Sequence, residues 1–181
     1  MSNDWRGRIE TYSGDSFAPL SPDPADVRLG DIAAGLAHTC RFGGQCQRYY
    51  SVAEHSLYVA SELDDYGPRV QLYGLLHDAG EAYLVDVPRP IKEQFEGFEQ
   101  AEAEIREVVW DALDVRAPTE TEWTTVMDAD DQLLAYEADE LLADGSWAAD
   151  PPARSYDLGR ESVPDVRERF RARAERLLDA L

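Results

Sequence analysis

The chain has 181 residues and is 44% hydrophobic, which suits one globular domain with a core large enough to need neither disulfides nor structural zinc. Its formal net charge of −20 repels nucleic acid and anionic lipid, so a general nucleic-acid or membrane binder is excluded. Met1 to Arg8 lacks the apolar core of a signal peptide and no run is long enough to span a bilayer, so a cytoplasmic protein with Cys40 and Cys46 as reduced thiols is expected.

Lys92 is the only lysine among seventeen basic residues. Two explanations of this acidic, lysine-poor composition stand side by side. One is a salt-loving host, in whose cytoplasm screening relieves self-repulsion; the other is a GC-rich genome favouring Arg, Ala and Asp codons.

Residues 1–30 form an N-terminal arm rich in Gly, Pro, Ser and Asp, read as turns and extended chain with a short hairpin around Gly14. Residues 31–181 are the helical domain. Ile32, Leu36 and Cys40 mark a first helix from Asp31 to about Thr39, which Gly43-Gly44 ends. Ser51-Val52-Ala53-Glu54 has the pattern of a capping box and opens a helix to about Asp64. Pro68 starts the next helix, apolar on most of its surface through Val70, Leu72, Tyr73, Leu75 and Leu76, and therefore central. Asp86-Val87-Pro88-Arg89-Pro90 reads as a loop, because two prolines forbid regular pairing. Further helices are predicted from Phe98 to Leu113, Pro118 to Ala143 and Ser162 to Ala180, with a loop from Asp144 to Leu158. The fold class is all-α, a single helical bundle with a short irregular arm.

Two of the three histidines lie where an ion site is plausible on chemistry. His77-Asp78 closes the most apolar helix and enters a turn with Ala79-Gly80-Glu81, so both side chains can bend toward one point. His55 lies one turn into the preceding helix, which packs against its neighbour across a short connection. In the helix after Pro118, the apolar stripe Trp123, Val126, Met127, Leu133, Leu134, Ala138 and Leu141 has Asp130 at its centre. A carboxylate on a buried face is costly unless paired or ligated to a metal. Asp131 is the second choice, and Asp128 reads as solvated. Two imidazoles and two carboxylates suit one divalent transition metal (Mn, Co, Fe, Ni or Zn) with open positions, not a closed structural zinc site. Such an ion acidifies water and polarises a phosphoryl oxygen. Residue types alone leave a structural hydrogen-bonded cluster as an open alternative.

The ordered set Ser51-Val52-Ala53-Glu54-His55-Ser56, His77-Asp78-Ala79-Gly80-Glu81, Asp86-Val87-Pro88-Arg89-Pro90 and Ala129-Asp130 resembles the HD-domain metal-dependent phosphohydrolase superfamily, in its 5′-deoxynucleotidase-like branch. The resemblance covers roughly Asp31 to Leu142. It implies an HD-type helical bundle with His55, His77, Asp78 and Asp130 as metal ligands. By the same resemblance Glu81 orients or deprotonates the attacking water, Asp86 assists departure of the sugar oxygen, and Arg41 contacts the substrate phosphate. The implied function is a 5′-(deoxy)nucleotidase that releases phosphate from a nucleoside monophosphate. The same chemistry on a triphosphate or signalling nucleotide is the alternative, and a binding module without turnover is a third reading. Two positions depart from the pattern. Relatives often carry glycine where Val85 stands, so the turn before Asp86 is expected to differ; Phe42 replaces a tryptophan, with stacking on sugar or base still available to it. The arm from Thr11 to Pro24 resembles a phage and prophage variant.

Arg48, Arg89 and Lys92 are further candidate phosphate contacts, because clustered positive charge on so acidic a surface funnels anions. Glu137, two turns after Asp130 on the buried stripe, needs a partner such as an arginine and reads as a structural ion pair. His38 reads as core-edge packing, and Tyr73, Tyr83 and Trp110 as packing aromatics. The expected partner is a small-molecule nucleotide, with no nucleic acid and no membrane. Homo-oligomerisation through the last helix (Val163, Val166, Phe170, Leu177, Leu178) and packing of that helix on the chain's own core are both compatible with its apolar face.

Overall fold

The computed structural model describes residues 6–145, 147 and 154–181; the start of the N-terminal arm and the middle of the loop predicted from Asp144 to Leu158 lie outside the described residues. The arm carries a two-stranded antiparallel hairpin, β1 (Ile9–Glu10) with β2 (Ser16–Phe17), turned through Gly14 at φ +88°. Asp31 anchors this hairpin: it accepts the Ser13 amide at 2.8 Å and the Ser13 hydroxyl at 2.9 Å. Asp31 belongs to α1 (Leu29–His38), which starts two residues before the predicted boundary.

The remaining elements are α2 (Val52–Glu62), α3 (Pro68–Leu76), α4 (Glu81–Leu84), α5 (Arg89–Lys92), α6 (Phe98–Ala112), α7 (Glu120–Leu141) and α8 (Val163–Asp179). The described chain is thus an all-α bundle with one small hairpin. Helices α2 and α3 pack on each other and on α7, while α8 covers α1, α2 and α3. The shared core holds Ile32, Leu36, Leu75, Leu76, Trp110, Val126, Leu133 and Phe170, all essentially inaccessible to solvent. The apolar face of α8 is therefore used within the chain, with Val166, Phe170 and Leu177 buried in the core. Each fully buried side chain of this size contributes about 1.5–3 kcal/mol.

Two local expectations change. The predicted capping box of α2 is half made: Ser51 accepts the Glu54 amide at 3.1 Å, but the Glu54 carboxylate turns away to accept the Gly159 amide at 2.8 Å. Glu54 thereby ties α2 to the segment leading into α8. The reciprocal box is instead complete at α7, where Thr119 and Glu122 satisfy each other's amides at 2.8 and 3.3 Å. The loop predicted from Asp86 to Pro90 turns helical at Arg89, because Pro90 falls in a first turn whose amides have no intrahelical partner in any case.

The site depends on how α3 ends. His77 keeps helical backbone angles, Asp78 to Gly80 form a tight turn, and α4 follows at once from Glu81. Gly80 suits this close packing, since a Cβ there would lie 3.2 Å from the Glu102 carbonyl oxygen of α6, tighter than an ordinary contact. The turn thus projects His77, Asp78 and Glu81 in one direction while α6 packs on its back. Helix α4 ends at Val85, whose φ of +65° with ψ 162° is a conformation essentially reserved for glycine. Although the sequence departs from glycine, the backbone still makes the glycine turn.

Candidate metal centre

His55 from α2, His77 and Asp78 from the end of α3, and Asp130 from α7 come together. His55 and His77 are buried, and their Nε2 atoms face each other at 3.3 Å. Asp130 Oδ1 lies 3.0 Å from His55 Nε2 and 3.8 Å from His77 Nε2. Asp78 Oδ2 lies 3.2 Å from His77 Nε2 and 3.8 Å from His55 Nε2.

The far nitrogens fix what these near atoms are. His77 Nδ1 contacts the Gly74 carbonyl oxygen at 2.7 Å, which only accepts, so Nδ1 carries the proton. His55 Nδ1 donates to Glu137 Oε1 at 2.6 Å. In neutral imidazoles both Nε2 atoms are then bare lone pairs, aimed at each other and at two carboxylates. Asp78 Oδ2 is also buried without a hydrogen-bond donor. Lone pairs converging in a buried place need a cation among them. The donor set therefore fits a metal ion: His55, His77 and Asp78 offer ligand atoms all within 4.8 Å of one another.

Protonation tells the same story. Burial disfavours imidazolium at His77, yet Asp78 and Asp130 outweigh it and hold the pKa well above its ordinary value. Burial and Arg41 oppose the charge on His55, and Glu137 and Asp130 outweigh them. Asp78 and Asp130 are held below the usual carboxylate range despite burial, by His77 at the first and by both histidines at the second. Protons on the rings do there what a metal ion would do better.

Glu137 is more than the structural ion pair expected of it. Fully buried on α7, it accepts from His55, from the Tyr50 hydroxyl at 2.7 Å and from Arg41 Nη2 at 3.0 Å. It orients the imidazole of His55 and raises its basicity. The arginine partner was legible from the stripe. The histidine partner was not, because nothing on the stripe calls for an imidazole once an arginine answers the charge.

The centre opens into a cavity of about 560 Å³. Arg41, Phe42, Glu81, Asp86, Arg89 and Lys92 all line it, with Asp78 and Asp130 at its polar end. Arg41 sits between Glu137 and Asp78 (3.6 Å), its guanidinium 5.6 Å from the Phe42 ring centroid. Phe42 has φ +58°, a left-handed conformation that points its amide at Asp86, whose Oδ2 accepts it at 3.0 Å. Burial pushes the Asp86 carboxyl upward against the pull of Arg41. Burial, then Asp78 and Asp86, push Glu81 well above the ordinary range; Lys92 stands 3.5 Å from Glu81 and 2.8 Å from Glu102. Arg89 is solvent-exposed at the rim, paired with Asp131 at 3.2 Å.

Arg48 corrects an expectation, for it is not in the cavity. Its Nε donates to the Leu158 carbonyl at 2.8 Å and its guanidinium lies 3.8 Å from Glu140, so it staples the Gln45–Tyr49 segment to the chain before α8. Gly159 permits this close approach: a Cβ there would lie 2.5 Å from the Tyr49 carbonyl oxygen. Asp131, the second choice for the fourth position, points outward to Arg89. His38 is exposed on α1, with Nδ1 2.8 Å from the Ala34 carbonyl. Among the cavity residues that the sequence did not single out are Arg106, and Trp123 as a wall residue rather than core. Arg106 is a lone arginine on an acidic helix, which reads as surface.

No helix among the described residues is long and apolar enough to cross a membrane. No protein-family model matches the chain. The chain is 41% identical over 98 residues to an uncharacterized protein of Rhodobacter capsulatus, an alignment that spans 51% of this chain and about half (48%) of that protein. It is 32% identical over 140 residues to the uncharacterized protein YfdR of Escherichia coli (strain K12), covering 77% of this chain and 75% of that one. At that identity and coverage, the chain belongs to the family of YfdR.

Proposed function

We propose that the chain is an HD-type, metal-dependent phosphohydrolase that removes phosphate from a nucleoside 5′-monophosphate. The observation that carries this reading is the convergence of two buried imidazole lone pairs with two carboxylates at the end of a cavity that also holds Arg41, Glu81 and Asp86. Asp130 is the fourth ligand in this proposal, beside His55, His77 and Asp78, and the ion is a divalent transition metal. When bound, it would acidify water and draw electron density from a phosphoryl oxygen.

The side chains divide the remaining work. Arg41 takes a non-bridging oxygen and neutralises charge gathering on the phosphoryl group. Glu81, whose raised proton affinity makes it the stronger base, aims the water and accepts its proton as the new P–O bond forms. Asp86 gives its proton to the sugar oxygen as the ester bond breaks. The upward push on its carboxyl favours the protonated form this step needs, and the Phe42 amide holds one oxygen while leaving the other to carry the proton. Phe42 offers a face against which sugar or base packs.

Protein loaded with Mn(II) or Co(II) should release orthophosphate from nucleoside monophosphates. Release of triphosphate from nucleoside triphosphates would replace this reading with the anhydride-releasing one. Metal binding with no release from any nucleotide would leave a binding module.

A further inference from the structure

Arg106 is the unexplained cation of the cavity. Helix α6 packs on the turn between Asp78 and Glu81 through Glu102, and Arg106 follows Glu102 by one turn on the same face. Its guanidinium carbon lies 4.5 Å from the centroid of Trp123, on the stripe of α7 that continues through Met127 to Asp130. The cavity's other cations are engaged: Arg41 by Glu137 and Asp78, Arg89 by Asp131, Lys92 by Glu102 and Glu81. Arg106 makes no ion pair or hydrogen bond with any described residue.

Acids are not scarce, since the chain has 37 against 17 basic residues. Even Glu102, well placed for a helix-surface pair four residues before Arg106, goes to Lys92 at 2.8 Å. A largely buried guanidinium that no carboxylate contacts is costly, and burial holds the pKa of Arg106 below its ordinary value although Asp78, Glu102 and Glu107 are near enough to pull it upward. Trp123 offsets part of that cost through its ring face and holds the planar group in place, leaving the N–H edge unused.

We propose that Arg106, set by Trp123, is a substrate-binding residue that receives the non-bridging oxygens of the phosphoryl group presented to the His55–His77–Asp78 centre. This rests on the phosphohydrolase reading and adds to it a cation from α6, beside Arg41, which two carboxylates already occupy. The N–H fork of a guanidinium matches two phosphoryl oxygens, which a lysine cannot do.

The test is calorimetric titration of orthophosphate, the product, into the full Co(II)-loaded chain, alongside KM and kcat on a nucleoside monophosphate. Arg106→Gln should weaken orthophosphate binding by about 10- to 100-fold, the range for one lost charge-assisted pair, and raise KM in parallel. Arg106→Lys should recover part of the binding. Trp123→Ala, which keeps the charge but removes its support, should lose about 3- to 10-fold. Orthophosphate affinity in Arg106→Gln within twofold of the parent, with hydrolysis intact, overturns the role of Arg106 and leaves the parent reading standing. A parent protein that binds cobalt but neither binds orthophosphate nor hydrolyses any nucleotide overturns both.

Discussion

Replacing Glu137 by Gln separates a metal centre from a cluster of hydrogen-bonded side chains. The substitution keeps the volume and one acceptor, removes the charge, and turns half of the group into a donor. That donor must face either the Arg41 guanidinium or the His55–Tyr50 pair, all of which donate to Glu137 at 2.6–3.0 Å. Breaking a buried charge pair from one side costs about 3–5 kcal/mol. Arg41 keeps Asp78 at 3.6 Å as a second partner, so the lower end, about 3 kcal/mol of folding stability, is expected. If the centre holds a metal, the weaker and misaimed His55 also lowers metal affinity by about 10- to 100-fold, the usual effect of removing a carboxylate behind a ligating imidazole. Glu54→Gln is the control: this carboxylate accepts the Gly159 amide and hydrogen-bonds none of the four site residues, so it should cost about 1 kcal/mol and leave metal affinity alone. Urea unfolding gives the first quantity, and calorimetric titration with Mn(II) or Co(II) at fixed pH gives the second. Parent-like metal affinity in Glu137→Gln, with stability lowered, would refute the role given to Glu137.

Other expectations follow from the same geometry. In metal-free protein, His55 and His77 are held above the ordinary value, so their stabilisation is complete below about pH 6.5 and lost as pH rises through their folded pKa values. Melting of chelator-treated protein should therefore fall on the alkaline side, while metal binding, which releases those protons, tightens with rising pH; a flat profile for both contradicts the lone-pair argument. Val85→Gly should raise stability by about 1 kcal/mol, because relief of about 1–3 kcal/mol of backbone strain exceeds the added flexibility of glycine; a loss on urea unfolding would show that the turn is unstrained. Gly35→Ala places a Cβ 2.6 Å from the Ala82 carbonyl oxygen, pushes α1 off α4, and should cost about 1–3 kcal/mol. Cys40 and Cys46 Sγ atoms lie 3.5 Å apart across the segment carrying Arg41 and Phe42. Diamide should consume both thiols as one disulfide within the chain, and thiol counts unchanged by diamide would refute this.

What the sequence showed of the centre, it showed through cost. His77-Asp78 is visible because the two residues are adjacent, and Asp130 because a carboxylate at the middle of an apolar stripe must be paired or bound to a cation. Glu137 stands out on the same stripe for the same reason, but its partner His55 comes from α2 and is fixed only by packing. Charge without direction misleads in the other sense. Arg48 carries the same charge as Arg41, yet its backbone leaves the cavity and its side chain ends on Leu158 and Glu140. Arg106 was hidden because a lone arginine in an acidic helix reads as surface, and only the position of Trp123 from another helix shows where it points. Val85 is a further case, in which the residue changes and the turn persists. The Phe42 amide, which fixes Asp86 from across that turn, gives one reason the backbone is held there.

The net charge of −20 and an anionic substrate are compatible because they act over different distances. Acids on the outer faces of α6 and α8 are screened within about 8 Å at physiological ionic strength, whereas the buried ones lining the cavity, such as Glu81 and Asp130, are screened much less. Seven acidic and four basic side chains line it, an excess of three negative charges that would turn a phosphate away. A divalent ion at His55, His77 and Asp78 would cancel two of the three in place of the ring protons that do so at lower pH, and the proton that burial favours on Asp86 would cancel the last. In the proposed function Arg41 would then present its charge to an incoming anion instead of only to Asp78 and Glu137, beside Arg106, which is unpaired among the described residues. Above the folded pKa values of His55 and His77, where the ring protons are gone, phosphate binding should therefore require the metal even though the arginines are in place without it, and raising the salt concentration in metal-free protein should not substitute for the ion.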